Sequence, residues 1–571
     1  RIKIMKNKLY EGRKLNNFRE LVHLYKTTYK DKTAFEYKLT PDSSEYITKS
    51  YKQFASDIED LGTYLLKNNC KRIAVIGNNR YEWCVTYLGT TTAGLVIVPL
   101  DKSLPDNEII GLIRRAKVDT IVFDNKYSHV INSFTDDNLC KNKICMDTDF
   151  ADVLKQGANL DHAIYDNITI DESAMAVMLF TSGTTSISKA VMLSQHAICT
   201  DIYGLSQMID ITMKDKFLSF LPLHHVFESI CTFMFGTSCG ITIAFCDGLK
   251  YIQKNLVEYH VTGFVCVPLM LEIMFKKIEK TIEKEHKTFI VNILRKLFRH
   301  APINIKRKIF KSVIDGLGGN LRTIISGGAP MDKTALQGFN DFGFDIHQGY
   351  GLTETASVVA GENSFNKKVG SVGFVLPTVS VRIDNPDKDG IGEIVVKTDS
   401  VMLGYYENEE ATKQVLRNGE FYTGDLGYVD KNGFLFITGR KKDMIVLKNG
   451  KKVFPEELES LINKLPYVAE SMVFGHIDHT KTDRNDDVVL YSKIVYNKDL
   501  LKATFPNITD NIESYEAAIH EDIKNKINKQ MPAYKYIRHI IITDVPLIKT
   551  TTQKIKRNEE MKLIEKDLGS N

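Results

Sequence analysis

The sequence predicts an α/β protein: a large N-terminal domain of mostly parallel sheets covered by helices, a small antiparallel unit closing it, and a smaller C-terminal α+β domain. Three observations predict it. Between Tyr46 and about Ile325, short β-branched runs alternate with helical stretches. After Gly370 the texture changes to strands separated by Asn, Asp and Gly turns. The chain has 571 residues, more than one hydrophobic core organises.

Taken in order, Arg72–Gly77, Leu95–Leu100, Thr120–Asp124, Ala176–Phe180, Ile241–Phe245, Gly263–Val267 and Leu321–Ser326 have the spacing of βαβ units, hence parallel strands with helices on the faces. Val379–Ile383, Gly392–Val396, Gly419–Val429 and Phe434–Thr438 read as the antiparallel unit. A lysine-rich stretch, 441–452, precedes a helix opening at Pro455-Glu456-Glu457, a first-turn proline followed by acids. The expected domains are 1–440 and 441–571.

Composition excludes several classes. Hydrophobic residues at 43% and charged residues at 26% are ordinary globular values, unlike those of a disordered or collagen-like chain. The longest apolar run, near Phe264–Phe275, is broken by Glu272 and is too short to span a bilayer. Arg1–Lys14 is basic and lacks the apolar centre of a signal peptide. Nine cysteines without a Cys-x-x-Cys pair fit buried thiols in a reducing compartment, so a cytoplasmic location is expected. A net charge of +4 gives no argument for nucleic acid, and none is expected as a partner.

Residues 276–311 carry twelve Lys/Arg against three acids, interleaved with Phe289, Ile290, Ile293, Leu294, Leu297 and Phe298 at helical spacing. Two readings stay open: a helix solvated on its charged face and packed on the other, or a basic amphipathic helix in peripheral contact with an anionic membrane.

The chemistry points first to Leu179–Val191, which follows the apolar strand Ala176–Phe180. Hydroxyl residues around Gly183, with Lys189 behind them, offer donors and a mobile charge to phosphate oxygens. The glycine-to-lysine spacing is that of a Walker loop, but Ser188 replaces its second glycine and Ala190 its metal-binding hydroxyl, which disfavours a P-loop NTPase. Alone, such a segment is also an ordinary Ser/Thr-rich turn.

It is followed, in order, by Leu221-Pro-Leu-His-His-Val-Phe-Glu228, Ser326-Gly-Gly-Ala-Pro330, Gln348-Gly-Tyr-Gly-Leu-Thr-Glu-Thr355, Tyr422-Thr-Gly-Asp-Leu-Gly427, Gly439-Arg-Lys-Lys-Asp443 and Thr550-Thr-Thr-Gln-Lys-Ile-Lys-Arg557. This series resembles the signature motifs of the acyl-adenylate-forming enzymes, over about Tyr46 to Arg557. Asn79-Arg-Tyr-Glu-Trp83, Val98–Pro105 and the ending Lys554-Ile-Lys-Arg557 resemble the long-chain fatty acid:CoA ligase branch.

The resemblance implies two steps: a fatty acid carboxylate attacks the α-phosphate of ATP, releasing pyrophosphate, and CoA thiolate then displaces AMP. The implied ligands are ATP, Mg²⁺, CoA and a medium- to long-chain acid. By resemblance, Thr181, Ser182, Gly183, Thr184, Thr185 and Lys189 contact phosphate, with Thr181 and Glu354 on Mg²⁺. Gly327, Gly328 and Ala329 form the adenine wall; Gln348, Gly349, Tyr350 and Gly351 continue the nucleotide site, with Tyr350 stacked on the base. Thr353 meets the α-phosphate, Asp425 takes both ribose hydroxyls, and Arg440 faces ribose and phosphate. His225 lines the acyl or thiol channel, and no further ligand is spaced to make a metal site of His224 and His225. Lys554 joins carboxylate and α-phosphate from the small domain, which rotates about a hinge at Lys442.

The chain departs from the family at Ser186, Ser188, Ala190 and Gln553, where glycine or proline is usual. Apolar Ile230, Phe233, Met234 and Phe235 suit either an acyl tunnel or a packed helix. Two alternatives to a CoA ligase remain: an acyl carrier protein ligase, which shares the first step, and a non-catalytic acyl or nucleotide sensor.

Overall fold

The computed structural model describes residues 8–135, 139–181, 188–447, 451–477, 488–550 and 554–568. Two large, mostly parallel sheets dominate. The larger runs, strand by neighbouring strand, through Phe374–Val375, Ala360–Gly361, Asp345–Tyr350, Thr323–Gly327, Gly263–Cys266, Lys216–Ser219, Thr242–Phe245, Thr33–Tyr37 and Ile47–Ser50. Its six central strands are parallel, and the antiparallel pairs lie at its two edges. The other runs Gly404–Tyr405, Lys189–Ser194, Met175–Thr181, Val96–Pro99, Arg72–Ile76, Thr120–Phe123 and Asn142–Cys145. All the β-branched runs expected as strands are strands.

Helices enter where the sequence supplies caps. Ser50 accepts from Gln53 N to open Tyr51–Lys67, Ser194 from Ala197 N to open Gln195–Met208, and Asp332 from Thr334 and Ala335 to open Lys333–Phe342. An aromatic centre ties the first helices to the larger sheet: Phe35 and Phe54 lie 4.8 Å apart, Trp83 and Tyr87 5.5 Å, Tyr87 and Phe233 5.9 Å. The antiparallel unit follows as Val379–Asp384, Gly392–Thr398, Glu420–Val429 and Leu435–Arg440.

Beyond it, Val468–Ile477, Val488–Tyr496 and Ile537–Thr543 form a three-stranded sheet. Helices Pro455–Ile462 and Ile512–Lys526 cover it over a core of its own, including Leu458, Ile462, Tyr467, Ile494 and Ile519. Before the final helix, Arg557–Leu568, a hairpin presents Lys554: Thr550 N donates to Lys554 O at 2.8 Å and Lys556 N to Ile548 O at 2.8 Å. Arg557 anchors the hairpin, donating to both oxygens of buried Glu459 at 2.7 and 2.6 Å and to Val473 O at 3.1 Å.

Four expectations change. Strand Thr33–Tyr37 and helix Phe18–Leu24 precede Tyr46; the larger sheet starts earlier than the sequence suggested. Lys189–Ser194 is a strand, antiparallel to Met175–Thr181, with no turn residues on its far side to announce it. Ile230, Phe233 and Met234 are packed in the core, on a π-helix spanning Phe227–Met234, which favours the packed helix over the tunnel for those three. The basic stretch is four helices, Pro268–Lys284, Thr288–Leu297, Ile303–Ile309 and Lys311–Gly316. Its apolar residues do not all turn inward: Phe289 is 78% exposed, Leu297 70% and Ile290 60%. Lys306 is buried and bonds Asn340 O, while Arg307 bonds Leu321 O and Gly319 O, so these two cations brace the fold.

Removing Arg557 leaves Glu459 buried without its partner, a loss of about 3–5 kcal/mol in comparable pairs. In Arg557→Met, hydrogen exchange across 548–560 should rise at least about tenfold, while the Arg72–Ile76 strand keeps its protection. Equal exchange in both regions would show that the ion pair does not anchor the hairpin.

Candidate active site

Parallel strands deliver their C-terminal ends to one cleft, the usual ligand crevice of an open α/β sheet. Thr181 ends its strand, Gly327 and Tyr350 end theirs, and the turn with His224 and His225 follows Lys216–Ser219. The cleft holds about 3220 Å³. The small C-terminal unit forms its other wall, and Lys554 projects into it.

The strand Glu420–Val429 pairs antiparallel with Leu435–Arg440 in a register that sets Asp425 opposite Arg440. Asp425 is buried; Arg440 Nε stands 3.5 Å from its Oδ1, and Tyr350 donates its hydroxyl to Oδ2 at 2.7 Å. Burial raises the Asp425 carboxyl above the usual range, opposed by Arg440, Tyr350, Lys554 and Lys442. The same burial pushes the Tyr350 phenol well up, and Asp425 adds to it.

Lys554 is exposed into the cleft, yet protein crowds it enough that lost hydration, then Arg440, lower its ammonium, with Asp425 and Glu354 acting the other way. Lys442 is lowered too, by burial first, with Arg440 and Lys189 among its neighbours. Three cations thus gather round one buried carboxylate. A Cβ on Gly328, which has φ +88°, would sit 3.9 Å from Lys554 Cε, so the small unit is docked against the Gly327–Ala329 segment.

The turn Thr353–Thr355 supplies Glu354, whose Oε1 accepts from Tyr405 at 2.9 Å. Its other oxygen has no hydrogen bond among the described residues. Gly351 is required there, because a Cβ would stand 1.6 Å from Ser357 O. Thr181 and Lys189 are register partners across their hairpin, and the Lys189 ammonium lies 4.6 Å from the centre of the Tyr405 ring. Carboxylate and hydroxyl oxygens at the cleft rim suit a hard cation such as Mg²⁺.

Ser182, Gly183, Thr184 and Thr185, with Ser186 and Gln553, lie outside the described residues. The other two departures are accommodated. Ala190 points its methyl into the core, and Arg115 grips Ser188 through its hydroxyl at 3.2 Å and its carbonyl at 2.7 Å. Gly327 faces the Phe227 ring, which a Cβ would meet at 2.9 Å. Ala329, Gln348, Gly349 and Thr353 also line the cleft.

Sequence reasoning missed Tyr405, Phe227 and Asp101. Nothing beside Tyr405 signals a role, and it is brought in by pairing Gly404–Tyr405 to the Lys189 strand. Asp101 comes to His224 at 3.4 Å, the third group that sequence spacing did not offer. His225 is pushed down to about 3 by burial and by His224.

Chains of this kind are nucleotide-using α/β enzymes closed by a small C-terminal unit. A family model described as AMP-binding enzyme matches residues 25–406, one for the AMP-binding enzyme C-terminal domain matches 442–482, and the chain belongs to this family. Among curated relatives it is 28% identical to the long-chain-fatty-acid–CoA ligase FadD15 of Mycobacterium bovis, over 71% of each chain. It is 26% identical to the long-chain-fatty-acid–[acyl-carrier-protein] ligase AEE15, chloroplastic, of Arabidopsis thaliana, over 89% of this chain and 80% of that one. The crystal structure of ATP-bound MatB from Rhodopseudomonas palustris shares the fold, with a TM-score of 0.76 at 23% identity over 97% of this chain and 99% of that one.

Glu228, on the π-helix, is wholly buried; burial raises its carboxyl to about 8, although Ser219 and Thr232 donate to it at 2.6 and 3.0 Å. The folded state therefore keeps a proton that the unfolded state releases above its ordinary value of 4.5. Stability from this group is greatest at low pH and falls as pH rises to about 8, by up to about 1.4 kcal/mol per unit. Glu228→Gln should flatten that slope, so its urea midpoint gains on the parent's between about pH 5 and pH 8. Parallel midpoints would mean Glu228 is ionised throughout.

Proposed function

We propose that this protein is an AMP-forming fatty acid:CoA ligase acting on medium- to long-chain acids. The observation that carries it is the surplus of cations round Asp425: Arg440, Lys442 and Lys554, the last from the opposite wall. Such a desolvated cluster favours a polyanion, and ATP with a carboxylate beside it is one. The cleft's volume supports a second and third ligand, since about 300–1,000 Å³ serves one drug-sized molecule. One arm is apolar, lined by Leu205, Met208, Ile209, Cys231, Phe235 and Val358, which suits an alkyl chain.

On this reading, the carboxylate oxygen attacks the α-phosphorus and pyrophosphate leaves; CoA thiolate then attacks the acyl carbon and AMP leaves. Lys554 offsets charge building on the α-phosphoryl oxygens, with Thr353 beside it, and Lys189 serves the outer phosphates with the 181–185 segment. Asp425 holds the ribose, Gly327–Ala329 and Gln348–Gly351 the adenine, and Arg440 bridges ribose and phosphate. Thr181 and Glu354 would hold Mg²⁺, which would supply charge neutralisation at the phosphates. His225 guides the acyl group or thiol. The functional domains are 1–440 and 441–571, hinged at Lys442, so that withdrawal of Lys554 admits the thiol.

Lys554→Ala should lower fatty-acid-driven pyrophosphate–ATP exchange by about 10²-fold or more, yet spare thioester formation from supplied acyl-adenylate. Equal loss in both would remove Lys554 from the first step. Running the parent from acetate to oleate, with CoA and with acyl carrier protein, assigns chain length and acceptor. Absence of exchange with every acid would leave the sensor reading.

A membrane surface as a partner, for a cytoplasmic protein, rests on a separate observation. Helix Thr288–Leu297 has no buried residue, and it exposes Phe289, Ile290, Ile293 and Leu297 beside Lys284, Lys287 and Lys296. It packs on Pro268–Lys284, one face of which lines the cleft through Glu272, Lys276, Glu279 and Lys280. Among the described residues no helix is long and apolar enough to cross a membrane. Anionic vesicles should retain the protein at low salt. The variant Phe289→Ser, Leu297→Ser, Lys284→Glu, Lys296→Glu should bind them about 10²-fold less, at about 1 kcal/mol per charge, with activity on a short acid intact. Undiminished vesicle binding would leave this helix as a solvated face.

A further inference from the structure

Asp101, His224 and His225 each place a ligand atom within 4.8 Å of the others'. They come from different sheets: Asp101 follows the strand Val96–Pro99, and the histidines follow Lys216–Ser219. The two imidazole rings are 4.3 Å apart. His224 is 9% exposed, and its Nε2, 3.4 Å from Asp101 Oδ1, forms no hydrogen bond among the described residues. An unsatisfied buried nitrogen is a standing cost.

That 3.4 Å separation has a meaning. Two ligands on a tetrahedral Zn²⁺, each about 2.0–2.1 Å from the metal, are about 3.4 Å apart. Two imidazoles and a carboxylate suit a borderline ion and not Mg²⁺, which takes oxygen. Both histidines line the cleft.

We propose that Asp101, His224 and His225 form a Zn²⁺ site whose fourth position opens to the cleft, where a thiol can occupy it. The thiol part rests on the ligase reading; the metal part does not. The incoming thiol displaces metal-bound water, its proton goes to solvent, and its sulfur becomes the fourth ligand. A CoA sulfur so held is withdrawn from the acyl carbon, and Zn²⁺ therefore inhibits thioester formation while adenylate formation continues.

The test uses the full chain. Zinc absorption fine structure of the parent should show nitrogen and oxygen ligands at about 2.0–2.1 Å, with the multiple-scattering signature of imidazole. Added CoA should bring one sulfur at about 2.3 Å. Asp101→Asn and His224→Gln, each checked for folding by pyrophosphate–ATP exchange in Mg²⁺ with zinc chelated, should bind Zn²⁺ at least about tenfold more weakly, within the range known for changes round a metal. In the parent, Zn²⁺ should depress CoA-dependent AMP release with exchange unaltered. Sulfur ligation before CoA is added would place the metal on cysteines and overturn the site. So would undiminished affinity in whichever variant folds. No sulfur after CoA would overturn the thiol step alone, and loss of all exchange in the parent would strike the ligase reading and leave the metal site standing.

Discussion

The site depends on keeping one carboxylate, Asp425, buried among hydrogen-bonding and cationic groups drawn from three parts of the fold. The hairpin register brings Arg440 to it, the larger sheet brings Tyr350, and the small C-terminal unit brings Lys554. In water such charges would screen one another cheaply; in a desolvated cleft each is felt by its neighbours. Lost hydration first, and Arg440 after it, lower both Lys554 and Lys442. The docked position of the small unit keeps the cluster assembled. Arg557 and Glu459 matter far from the chemistry because they fix where the lysine hairpin points.

Much of this was legible in the sequence. The β-branched runs between Arg72 and Ser326 gave their strands, since buried parallel strands read as continuous apolar segments. The motif residues Asp425, Tyr350, Arg440, Glu354 and Lys554 do converge. What could not be read were partners set by register or by distant chain. Tyr405 reaches Glu354 because a two-residue strand pairs beside Lys189, and a two-residue strand has no periodicity to detect. Asp101 meets His224 through the convergence of strand ends from two sheets, which no spacing along the chain records.

The apolar residues of 288–297 show the limit of periodicity from the other side. Helical spacing states that they share a face, and says nothing of what that face meets. Here Lys306 and Arg307, the cations a reader of sequence would assign to the surface, are spent on Asn340, Leu321 and Gly319 carbonyls, and Phe289, Ile290, Ile293 and Leu297 are left outside. Two of the departures, Ala190 and Ser188, resolve in a similar way. Ala190 costs no backbone freedom where it lies in a strand, and Ser188 has been recruited by Arg115.

Between turnovers, the Tyr350 hydroxyl acts as a place-holder. With the cleft empty, Asp425 would face low dielectric with an uncapped oxygen, and a buried acceptor left bare costs about 1–3 kcal/mol. The phenol caps it instead, from a ring already packed against the core. If ribose hydroxyls are its other donors, nucleotide departure becomes a swap of one oxygen donor for another and not the stripping of a charge. On that reading, the pocket would not have to loosen before its nucleotide leaves.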